Sequence, residues 1–124
     1  MLRSEHGQNL IELAIVAPLL VLLLTGIADV GRAFYGYIAI TNGAREGARY
    51  GARHPSNLAT IQAIAVNEAM NSGTQLSNCG ATVASQADWD GSALQVTVRC
   101  DFTPILMTGP LTLQNAAAMK VEGP

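Results

Sequence analysis

Charge is scarce in this sequence. Only 13% of its 124 residues are Asp, Glu, Lys or Arg, and the formal net charge is -2. A nucleic-acid-binding surface needs a basic patch that this balance does not supply, so no nucleic-acid partner is expected. Aromatic residues are scarcer still, at 5%, with one Trp. A compact soluble core of this size usually holds more of them, while apolar residues reach 49%. Part of that apolar surface is therefore expected to face lipid or another subunit. The two cysteines, Cys79 and Cys100, form no CxxC pair and no Cys/His cluster, so no zinc site is expected. His6 and His54 have no catalytic partner in view, and no nucleophile, base and orienter come together. Neither an enzyme nor a cofactor is expected.

What is abundant is grease near the N-terminus. Residues 13–28 carry no charge, and with Leu10 and Ile11 the run is just long enough to cross a bilayer. Arg3 is the one firm positive charge before it, which by the positive-inside tendency keeps the leader in the cytoplasm and the bulk of the chain outside. A cleaved secretory signal is the competing reading, with Thr25, Gly26 and Ala28 imitating a cleavage site. Glu12 is the anomaly within the run. A carboxylate at that place is costly unless it reaches the headgroups or finds a partner.

The helical pattern continues beyond the run. Asp29 and Arg32 are spaced to pair on one helix face. Gly43, Gly47 and Gly51 repeat every four residues, and so do Ala44, Ala48 and Ala52, and Arg45, Arg49 and Arg53. On a helix these make three ridges: one bare, one small, one basic. Each glycine costs about 1 kcal/mol of helix propensity relative to Ala. A bare ridge offsets that cost when another helix backbone comes close. Glu46 is placed to reach Arg49. The pattern predicts one helix over residues 8–53, with Pro18 kinking it or melting it locally. Pro55 ends it by forcing His54 out of helical geometry.

Ser56 is placed to cap a second helix over about residues 57–71, with Leu58, Ile61, Ile64 or Ala65, and Ala69 at helical spacing. Ser72 and Gly73 end it. The last third alternates as strands do. Cys79, Ala81 and Val83 share one face; Leu94, Val96, Val98 and Cys100 share another; Leu111, Leu113, Asn115, Ala117 and Met119 mark a third strand. A turn centred on Trp89 and Asp90 sets Cys79 opposite Cys100, whereas a turn on Asp90 and Gly91 slips Cys100 to Ala81. If this half is exported the cysteines are expected to join; in a reducing cytosol they stay free. Asp88 and Asp90 lack the further ligands of a calcium loop and read as a plain turn, so no metal is expected. The fold class is α+β: a long N-terminal helix, a short helix and a small antiparallel sheet that needs the outer part of the long helix as support. The chain divides into a leader (1–7), the long helix (8–53) and a small α+β part (54–124).

The stretch GQNLIELAIVAPLLVLLLTGIADVGRAFYGY, with TNGAREGARYGA after it and the tail VTVRCDFTPILMTGPLTLQNAAAMKVE, resembles the TadE-like family of tight-adherence pilus proteins, within the type IV pilin superfamily. The resemblance implies an inner-membrane precursor cut between Gly7 and Gln8 by a prepilin peptidase. It implies that Glu12, the fifth residue after the cut, meets the new N-terminal amine of a neighbouring subunit. It also implies assembly by an ATPase-driven machine into an extracellular filament, a homo-oligomer built through the N-terminal helices, with no cofactor. Gly43, Gly47, Gly51, Ala44 and Ala48 are the further candidates for assembly contacts. A bulk filament subunit is the leading expectation. A minor or priming pilin or pseudopilin, and an uncleaved single-pass membrane protein with a binding ectodomain, are the alternatives.

Overall fold

A computed structural model of the chain describes residues 5–72, 76–88 and 91–121. Helix α1 runs over Glu5–Arg53 and α2 over Leu58–Asn71. Strands β1 (Leu76–Asp88), β2 (Gly91–Phe102) and β3 (Leu111–Lys120) form one antiparallel sheet in the order β1-β2-β3. The α+β architecture is the one the sequence pattern predicts.

Helix α1 has 49 residues and is about 74 Å long at 1.5 Å per residue. Its helical assignment continues through Pro18, so the local melting expected there does not occur. The helix ends where Pro55 dictates. The His54 amide still donates to the Tyr50 carbonyl at 3.1 Å, and the two rings stack at 4.6 Å. The N-cap of α2 is Asn57, not Ser56, and its side chain makes no capping bond to the backbone. Instead the Asn57 Oδ1 accepts from the Thr60 hydroxyl at 2.9 Å. Ser72 closes the far end by donating to the Ala69 carbonyl at 2.8 Å, while Gly73 lies outside the described residues.

The sheet lays one face on both helices. Leu94, Val96, Val98, Cys100 and Phe102 alternate inward from β2, the central strand, and are buried against Ile40, Ala44 and Ala48 of α1 and Ile61, Ala65 and Ala69 of α2. Aliphatic side chains and small residues carry this core, with Phe102 its one fully buried aromatic ring among the described residues. Close approach of backbones replaces bulk as the source of contact. The third strand pairs with β2 from Ala93↔Lys120 to Phe102↔Leu111. Its Asn115, which falls on the apolar face, is satisfied there: Nδ2 donates to the Thr41 hydroxyl at 2.7 Å, and that hydroxyl donates to the Tyr37 carbonyl at 2.8 Å. The β1–β2 register places Ala81 opposite Val98 and Asp88 opposite Gly91, as a turn centred on Trp89 and Asp90 requires. Those two turn residues are outside the described set. A bulge between Ser77 and Gly80 shifts the pairing beyond the cysteines, with Asn78 at φ 49° absorbing it.

Candidate functional site

The N-terminal half of α1 is bare. From Gly7 to Leu24 every residue is exposed, including Leu10, Ile11, Leu13, Ile15, Leu19 and Leu20. The helix is long and apolar enough to cross a membrane, and its most apolar window has no residue buried within the fold. A core helix of a soluble protein would have that stripe covered.

Glu12 stands on this bare segment beside Asn9, Leu13 and Val16. It is exposed and has no ion-pair partner among the described residues. Gly7 is equally free. A Cβ built on it meets nothing within 4 Å, so nothing packed against it requires a glycine. Gln8 follows it on the same exposed turn.

The small ridge is used differently from the expectation drawn for it. Gly43, Ala44, Gly47, Ala48 and Gly51 are buried, but under the chain's own α2 and β2. A Cβ on Gly43 would overlap the Ala65 carbonyl oxygen and stand 3.0 Å from the Ala69 Cβ. On Gly47 it would lie 2.8 Å from the Ala65 Cβ, and on Gly51 2.5 Å from the Leu94 Cδ2. The four-residue period does bring another helix backbone close, as its physics demands. That helix is α2, and within this chain these residues close the packing of α1 on α2 and β2. Arg45, Arg49 and Arg53 face solvent, and the Glu46–Arg49 pair does not form.

Cys79 and Cys100 are joined by a disulfide, with their Cα atoms 4.2 Å apart. The bridge ties β1 to the buried Cys100 near the end of β2 across a sequence separation of 21.

One residue carries more than its spacing indicated. Asp29 pairs with Arg32 as expected, at 3.1 Å. Its carboxylate is buried and also accepts the Ile105 amide, at 2.9 and 2.8 Å to its two oxygens, and the Leu106 amide at 2.8 Å. The first charge after the apolar run therefore clasps the loop between β2 and β3. Arg32 in turn lies 5.2 Å over the Phe102 ring. Local spacing reveals the Arg32 pair, but the loop amides are 76 and 77 residues away in sequence and leave no periodic trace.

A family model described as TadE-like protein matches residues 7–49. No curated protein and no solved structure matches the chain. The match covers the bare apolar half of α1, Gly7 and Glu12, and most of the small ridge, and over residues 7–49 the chain carries a TadE-like segment, the family its sequence resembles.

Proposed function

We propose that the chain is a structural subunit of a Tad-like pilus filament, held in the inner membrane by α1 until it is assembled. A TadE-like segment and a helix able to span a membrane support a membrane-anchored, pilus-associated protein. The observation that carries the finer reading is the bare half of α1. It exposes an apolar helix to which Glu12 adds one carboxylate with no ion-pair partner among the described residues. In a bilayer, lipid covers the apolar face, but Glu12 must reach the headgroups to meet water or a counter-charge. A bundle of such helices covers the face and supplies one: cleavage after Gly7 by a prepilin peptidase exposes an amine at Gln8, within reach of a neighbour's Glu12. Gly7 fits that step, since its lack of a side chain serves no packing in the fold. The β sheet, tied by its disulfide, then faces outward, and the subunit works by packing, without catalysis.

Glu12→Ala tests the reading. The side chain touches nothing in the C-terminal fold, so the variant should accumulate in the membrane at normal stability and form no filaments. Normal filaments from this variant would remove the pairing step. Abundance then separates a bulk subunit from a minor one: a bulk subunit dominates material sheared from the cell surface.

A further inference from the structure

From Phe102 to Met119 the chain carries no charge. The middle of that segment, TPILMTGP, is the loop joining β2 to β3. At its tip Ile105, Leu106 and Met107 are 67%, 49% and 63% exposed. The backbone beneath them is fixed, since Asp29 accepts the amides of both Ile105 and Leu106. Apolar side chains held outward from an anchored loop need a surface to meet.

The height of the loop along α1 says which surface. Leu10 to Ala28 covers about 28 Å at 1.5 Å per residue, close to the roughly 30 Å hydrocarbon thickness of a bilayer. Asp29 follows directly, so the carboxylate and the loop it holds stand at the edge of the hydrocarbon. Phe34, Tyr35 and Tyr37 are exposed on α1 within the next few turns, where interfacial aromatic side chains gather. An apolar groove of about 290 Å³ between the loop and α1, lined by Gly26, Val30, Ala33 and Met107 among others, continues the greasy surface from the span to the loop.

We propose that the β2–β3 loop is a membrane foot. With α1 in the bilayer, Ile105, Leu106 and Met107 enter the boundary between headgroups and acyl chains on the side where the sheet lies. Asp29 sets their depth. The occupant is a lipid surface, continuous with the lipid around residues 10–28. The inference rests on reading that segment as a span.

The test uses the full-length protein, one copy per nanodisc of phosphatidylcholine and phosphatidylglycerol. Spin labels are placed in turn on Ile105→Cys, Met107→Cys, Leu20→Cys in the span and Gln62→Cys on the exposed face of α2. Labels at 105 and 107 should collide more with oxygen than with a water-soluble nickel complex, at a shallower depth than the label at 20. The label at 62 should show the reverse. Aqueous labels at 105 and 107 with a lipid-embedded label at 20 would overturn the foot and leave the tip for a neighbouring subunit. An aqueous label at 20 would overturn the span, and the foot with it.

Discussion

Replacing a helical glycine by alanine should stabilise α1 at one position and destabilise it at another. The backbone gain is the same at both, about 1 kcal/mol of helix propensity. At Gly31 a new Cβ meets nothing within 4 Å, so Gly31→Ala should gain about 0.5–1 kcal/mol. At Gly43 the new Cβ overlaps the Ala65 carbonyl oxygen and stands 3.2 Å from the Ala69 amide nitrogen. Both are backbone atoms of α2, and neither yields without moving that helix. Overpacking of this kind costs about 1–3 kcal/mol, so Gly43→Ala should lose up to about 2 kcal/mol after the propensity gain. Gly51→Ala should be milder, because its nearest neighbours are the flexible ends of Leu94 and Ile61. Urea unfolding of the full-length protein in detergent, followed by near-ultraviolet circular dichroism, reads the difference. Gly43→Ala as stable as Gly31→Ala would refute the claim that the ridge is closed by the chain's own second helix.

Asp29→Asn keeps the shape of the side chain but turns one acceptor into a donor facing the loop amides. Hydrogen exchange should quicken at Ile105 and Leu106 and stay slow at Val96 and Val98; unchanged protection at all four would mean the clasp does not hold the loop. Reducing the Cys79–Cys100 bridge reopens a loop with a sequence separation of 21, which should cost about 3 kcal/mol of stability in urea. A loss under about 1 kcal/mol would place the hold of β1 in its strand pairing instead.

The elements were legible because each has a period. The apolar run and the four-residue repeat give α1, Pro55 gives its end, and alternation around Val96 and Val98 gives the central strand. Counting to the centre of a turn left two registers for the cysteines, and the pairing of Ala81 with Val98 selects one of them. Two features were not legible, for one reason. The repeat of Gly43, Gly47 and Gly51 says that a backbone approaches, but not whose, because the period is the same for an internal partner and a neighbouring chain. The clasp at Asp29 joins residues 76 positions apart, and no local pattern encodes that. The local melting expected at Pro18 and the cap expected at Ser56 failed differently. Both were read from propensity alone, and the continuous helix through Pro18 and the cap at Asn57 show context overriding it. In the TadE-like segment, Gly7 and Glu12 were singled out by the family resemblance, and the fold adds that neither has any packing or ion-pair role within its described residues.

The most direct test of the pilin reading is the intact mass of protein sheared from the cell surface. The account predicts an abundant species beginning at Gln8, lighter by the hydrogens lost to one Cys79–Cys100 disulfide. A species retaining Met1 and confined to the membrane fraction would contradict it, and would favour an uncleaved single-pass membrane protein.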